Sequence, residues 1–195
     1  MTDWQAWHGG YDDPAAPLAR RLAVVQTLLR DTLLARPAWP VALTSAGDGR
    51  DVRGVLADHP RAGDVTAVLV EWDPVLAAAA GGRVGDAGDL GTYRDVPPAD
   101  VLLLCGVFGN VSDSDVKNTV DNSSRLCAPG ATVIWTRHRR APDLTPQIRG
   151  WWQEAGWQET AFVTGGQTAE WSVGAAVLTR EPLPYKEMRL FTFTR

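Results

Sequence analysis

VALTSAGDGRD, residues 41–51, is an apolar run that breaks into a Gly-x-Gly turn at Gly47 and Gly49. A second apolar run, VLVEWDP at 68–74, follows and ends on an acid, Glu71. In a strand–helix–strand unit this spacing puts the glycine turn at the tip of strand 1 and the acid at the tip of strand 2. The two tips lie side by side at the carboxyl edge of a parallel sheet, where doubly wound folds hold ligands. Glycine lets the backbone approach a ligand with no Cβ in the way. The acid can accept hydrogen bonds from a pair of ribose hydroxyls. Together they read as an adenosine-binding edge.

Two other nucleotide signatures are missing. A dinucleotide fingerprint wants a third glycine where this chain has Val52, and no G-x-x-x-x-G-K-[ST] phosphate loop occurs. The 195 residues suit one domain with a full core. Hydrophobic residues at 45% and charged residues at 22% are ordinary for a soluble globular chain. A formal net charge of −4 argues against an extended electrostatic grip on nucleic acid. No apolar run is long enough to span a membrane, and the acidic start MTDWQAWHGGYDD lacks a secretory pattern. Cys105 and Cys127 read as buried reduced thiols of a cytoplasmic protein. No metal-ligand spacing is present, so no metal is expected.

Along the chain, apolar positions at 18, 22, 25, 28, 29 and 33 give residues 14–35 a helical period. Strands are expected at about 40–45, 65–71, 83–85, 100–104, 131–136 and 158–164. Helices are expected at 50–58, 74–80, 113–126 and 145–155, the third with Ser112 as N-cap and Asp115 in its first turn. For a closing strand both 171–179 and 188–193 qualify, and MRLFTF at 188–193 is favoured. This alternation predicts an α/β three-layer sandwich. Residues 1–37 form an N-terminal arm and cap helix, and residues 38–195 a Rossmann-like core.

Five segments in order resemble the class I S-adenosylmethionine-dependent methyltransferase family: SAGDGRD at 45–51, EWDP at 71–74, GDAGD at 85–89, ADVLLLCGVFGN at 99–110 and LCAPGATVIW at 126–135. The resemblance covers roughly residues 38–165. It implies a seven-stranded, mostly parallel sheet with an antiparallel last strand, S-adenosyl-L-methionine as cofactor and S-adenosyl-L-homocysteine as product. It places Gly47, Asp48, Gly49 and Asp51 at the methionyl end, Glu71 on the ribose, Trp72 on one adenine face and Asp86 with Ala87 at the adenine edge. Gly106 and Val107 run beneath the sulfonium. The chain departs from the family at Ser45, where an acid is usual, and at Asp51, where a glycine is usual. Either Asp48 or Asp51 then meets the methionine ammonium.

The acceptor side is read from what remains. Cys105-Gly106-Val107-Phe108 replaces the tetrapeptide with which related amide and DNA N-methyltransferases hold an amino group. Phe108 is a candidate substrate contact, and Asn110 either orients the substrate or closes a turn. RHRR at 137–140 leaves strand 5 on the cofactor edge. Arg137 and Arg139 would favour a carboxylate or phosphate there, with His138 as candidate base; the bland reading is a solvated loop. Trp7, His8 and Tyr11 suit a mobile cover, and Arg20 or Arg21 a bond to the methionine carboxylate.

The reading that follows is methyl transfer to a small-molecule oxygen or nitrogen, with no metal and no membrane. A non-methylating S-adenosylmethionine-binding protein is the alternative: a sulfonium-assisted rearrangement catalyst, a sensor or a partner subunit. An RNA substrate would rest on RHRR alone. The oligomeric state stays open, a homodimer included.

Overall fold

The computed structural model describes residues 13, 15–36, 41–165 and 170–194. In chain order the elements are α1 (Pro17–Ala35), β1 (Val41–Ala46), α2 (Arg50–Leu56), β2 (Val65–Glu71), α3 (Pro74–Ala80), β3 (Arg83–Val84), β4 (Ala99–Leu104), α4 (Asp113–Asn122), β5 (Cys127–His138), α5 (Thr145–Glu154), β6 (Trp157–Thr164) and β7 (Trp171–Leu178). One seven-stranded sheet runs β3-β2-β1-β4-β5-β7-β6. The pairs among β1 to β5 are parallel, and β7 is antiparallel to both β5 and β6.

Local chemistry sets the boundaries. Asp73 caps α3, its carboxylate accepting from the Val75 and Leu76 amides, and Gly81 ends that helix in the left-handed conformation. Ser112 Oγ accepts from Asp115 N at 3.1 Å and starts α4. Beyond Asn122 the helix tightens into a 3₁₀ turn at Ser123–Leu126, so the α-helix is shorter than the sequence pattern suggests.

Two apolar layers cover the sheet. On one face Val25, Leu29 and Leu33 of α1 join Val52, Val55, Leu69, Val101, Leu103, Ile134, Val173 and Ala175. The leading helix therefore packs its apolar stripe on this face of the sheet. Its apolar stripe is continuous enough to need the sheet beneath it. On the other face Leu102, Val116, Val120, Val133, Trp135, Ile148, Trp152 and Trp157 pack together with Leu190 and Phe191 of the tail.

The closing strand is the second correction. It is Trp171–Leu178, whereas residues 188–193 form only two isolated bridges, Asp89 with Arg189 and Val111 with Phe193. Gly174 lies opposite Trp135 in the β5–β7 register, and a Cβ there would collide with the indole. That glycine lets the fully buried Trp135 lie across the neighbouring strand. Burying a large apolar side chain contributes roughly 1.5–3 kcal/mol.

Among the described residues no helix is long and apolar enough to cross a membrane. Nor does any group of three or more His, Cys, Asp or Glu side chains converge as for a metal. Cys105 and Cys127 are free thiols, and burial pushes the Cys127 pKa up to about 12.

Candidate functional site

Strand order reverses between β1 and β4, which are neighbours in the sheet although β2 and β3 intervene in sequence. Such a reversal opens a crevice at the carboxyl ends of the two strands. Gly47 leaves β1 with φ 98° and Gly106 leaves β4 with φ 76°, a region of backbone space that L side chains rarely enter. A Cβ on either would meet nothing within 4 Å. Both turns are pinned from behind: Gly47 N–H donates to Val70 O at 3.1 Å, and Gly106 N–H to Thr136 Oγ1 at 2.9 Å. The crevice thus has two bare stretches of backbone facing open space. Gly49 differs. Its φ is 67°, and a Cβ would strike the Leu69 side chain, so this glycine serves the turn into α2.

Acids line the same edge. Glu71 ends β2 half-buried, with Oε1 accepting from Asp73 N at 3.0 Å. Trp72 beside it is 65% exposed, and Val84, the register partner of Glu71 on β3, is 59% exposed. An indole left in the open next to the Glu71 carboxylate is available to stack on a flat ligand. Past β3, Asp86 Oδ1 accepts from Gly88 N at 2.9 Å and Oδ2 pairs with Arg189 at 2.8 Å. The Ala87 carbonyl accepts from the Tyr93 hydroxyl at 3.1 Å, and burial raises the pKa of that phenol, keeping it a donor.

The two candidate ammonium acceptors separate clearly. Asp48 is already engaged by Arg50, through Nε at 2.8 Å and Nη2 at 2.7 Å. Asp51, in the first turn of α2, is buried close to the Cys105 thiol and accepts from Val52 N at 3.2 Å. Burial foremost, then the Asp48 charge, raises its pKa, and both burial and Asp51 raise that of Cys105. The charge of Arg21 in α1 also reaches this thiol. A buried carboxyl held above its ordinary range is one that a cationic group would ionise.

The fold has known counterparts among solved structures. No family model and no curated protein matches the sequence. Among solved structures, an O-methyltransferase family protein from Burkholderia thailandensis is 16% identical, with TM-score 0.63 over 90% of this chain and 60% of that one. A TehB-like SAM-dependent methyltransferase from Corynebacterium glutamicum is 14% identical, with TM-score 0.57 over 82% of this chain and 95% of that one. The Aeropyrum pernix fibrillarin with natively bound S-adenosyl-L-methionine is 16% identical, with TM-score 0.54 over 77% and 74%. The fold is that of the class I S-adenosylmethionine-dependent methyltransferases.

In this methyltransferase fold several sequence-based expectations need correction. Phe108 is not a substrate contact: it is fully buried, with ring centroids 6.0 Å from Trp135 and 6.3 Å from Trp152. Val107 is buried in the same cluster, so only its backbone can face a ligand. Arg137 points inward, 8% exposed, donating to the Phe108 carbonyl and pairing with Asp113 at 3.2 Å. Arg139 Nε pairs with Asp143 at 2.9 Å. Asn110 Nδ2 donates to Gly106 O at 2.7 Å and its backbone carbonyl accepts from Thr194, so this residue clasps the loop. Trp7, His8 and Tyr11 lie outside the described residues.

His138 lies against the loop that follows β4. Its ring leans on the 105–110 loop, where a Cβ on Gly109 would lie 3.4 Å from Cδ2. Its Nδ1 is buried without a hydrogen-bond partner. Burial first, then the charges of Arg137 and Arg140, lower its pKa. Sequence reading missed Cys105 as the neighbour of Asp51, Thr136 as the anchor of Gly106, and Arg189. The first directly follows β4 and the second lies near the end of β5, which is a usable signal. Arg189 carries none, because it is far from every motif in sequence.

Proposed function

We propose that this chain is a methyltransferase that binds S-adenosyl-L-methionine, releases S-adenosyl-L-homocysteine and methylates an oxygen or nitrogen of a small molecule. The observation that supports this best is the pair of open, left-handed glycines at the ends of β1 and β4, flanked by Glu71 and Asp86 at the ends of β2 and β3. The residues fit the cofactor. Bare backbone at Gly47 and Gly106 leaves room for the methionyl part, Asp51 takes the ammonium, and Glu71 takes the ribose hydroxyls. Trp72 covers an adenine face, and Asp86 with Ala87 meets its edge. When bound, S-adenosylmethionine supplies a methyl activated for in-line displacement.

The protein's own contribution is alignment, exclusion of water and handling of a proton. His138 is the group for the last task. Its lowered pKa keeps the ring neutral near pH 7, so the imidazole can accept the proton of an acceptor hydroxyl. Arg137 and Arg139 answer acids of the chain, which leaves the exposed Arg140 to favour an anionic acceptor. The net charge of −4 supports a small-molecule acceptor over nucleic acid.

The test is incubation with a donor carrying an isotopically labelled methyl and a panel of phenols, carboxylates and amines. Product gaining one labelled methyl, with S-adenosylhomocysteine formed in equal amount, is expected. Tight cofactor binding with neither product would favour the sensor or partner-subunit reading. A rearranged product without label would favour sulfonium-assisted catalysis.

A further inference from the structure

The C-terminal segment is laced across the site edge. Leu90 N donates to Met188 O at 2.9 Å and Leu190 N to Gly88 O at 2.7 Å, so residues 188–190 bind the loop that carries Asp86. Asn118 Nδ2 on α4 donates to the carbonyls of Arg189 and Leu190 at 3.0 and 2.8 Å. Thr192 N donates to Asp115 Oδ2 at 3.0 Å, and Thr194 N to Asn110 O at 2.8 Å. Leu190 and Phe191 are buried in the core. Gly88 has no room for a Cβ, which would collide with the Phe191 carbonyl. The strap therefore spans from the adenine-side loop to the acceptor-side loop and cannot shift without breaking both.

Arg189 is the residue this strap presents. Its Nη1 pairs with Asp86 Oδ2 at 2.8 Å while Gly88 N holds Oδ1 at 2.9 Å. An exposed ion pair ordinarily loses much of its Coulomb gain to the ordering of two side chains. Here the backbone on either side of Arg189 is already fixed, so less ordering remains. With each oxygen gripped once, the Asp86 carboxylate has one orientation and still keeps lone pairs for another donor.

We propose that Arg189 is a positioning residue of the cofactor site, holding the Asp86 carboxylate in the orientation that accepts the adenine amino group. This rests on the reading of the crevice as an S-adenosylmethionine site. Calorimetric titration of S-adenosylhomocysteine and 5′-methylthioadenosine against the parent, Arg189→Ala, Arg189→Lys, Asp86→Asn and the double variant Arg189→Ala/Asp86→Asn tests it. Asp86→Asn keeps the acceptor for Gly88 N, so the turn survives. Arg189→Ala is expected to weaken both ligands by the same factor, about two- to fivefold, with the melting temperature nearly unchanged. Lysine should restore most of the loss, and Arg189→Ala should add nothing in the Asp86→Asn background. A full effect of Arg189→Ala in that background overturns the proposal. So does an unchanged affinity in Arg189→Ala while Asp86→Asn weakens binding. If the folded parent binds neither ligand, the cofactor reading itself has failed.

Discussion

The imidazole of His138, at the end of β5, lies alongside Gly109, with Cδ2 3.4 Å from where a Cβ would stand. His138→Ala should therefore lower turnover by roughly 10²–10⁴ while leaving S-adenosylhomocysteine affinity unchanged. Gly109→Val should crowd the ring and lower turnover with the fold intact. Because burial and two neighbouring arginines lower its pKa, the acid limb of the kcat profile should fall only below the ordinary value of 6.5. For stability the sign is the same. The unfolded chain takes up this proton first, so the contribution is full above pH 6.5 and is lost as pH falls through the folded pKa. An acid limb centred above 6.5 would assign the base to another group.

Arg137 predicts a different outcome. Truncation to alanine leaves the Phe108 carbonyl without its donor in a buried setting, which costs about 1–3 kcal/mol. Chemical denaturation should show that loss. A raised KM for an anionic acceptor without a change in stability would contradict the inward placement of this guanidinium.

Asp51 sets stability against binding. Its folded pKa lies above its ordinary value, so the favourable contribution is full below pH 3.8 and is lost as pH rises through the folded pKa. Asp51→Asn should remove that loss and stabilise the protein at neutral pH, read as a rise in melting temperature. It should also weaken S-adenosylmethionine, whose ammonium would lose its partner. Calorimetry and thermal melts on one variant measure both, and a destabilised variant that binds normally would refute the assignment.

The glycines divide by role. Gly47→Ala should cost about 1–2 kcal/mol for its left-handed backbone and should lose the cofactor while still folding. Gly49→Val should damage fold and binding together, since its Cβ would strike Leu69. Gly63→Val, with open space and ordinary backbone, is the control. Equal damage at all three would mean that Gly47 serves only its turn.

The sequence patterns were most legible where a strand end and a cap coincide. Val65–Glu71 and Pro74–Ala80 fall on the expected bounds, because Asp73-Pro74 punctuates the boundary chemically. The closing strand was misjudged because Gly174, Ala175 and Ala176 are weak strand formers in isolation, and only Trp135 across the ladder explains the small residues. Arg137 was misjudged for a related reason. β5 continues to His138 instead of ending at 136, so residue 137 is a strand residue covered on its face, buried where a loop residue would be solvated. The Asp86–Arg189 pair joins residues 103 apart in sequence and left no local trace.

The central claim is that the crevice above Gly47 and Gly106 binds S-adenosylmethionine through Glu71. Its most direct test is calorimetric titration of S-adenosylhomocysteine and NAD into the parent and Glu71→Ala. The account expects the parent to bind S-adenosylhomocysteine and not NAD. Glu71→Ala should bind at least about tenfold more weakly, the loss of one charge-assisted hydrogen bond, with its melting temperature nearly preserved. NAD binding without S-adenosylhomocysteine binding, or a Glu71→Ala variant that binds like the parent, would contradict it.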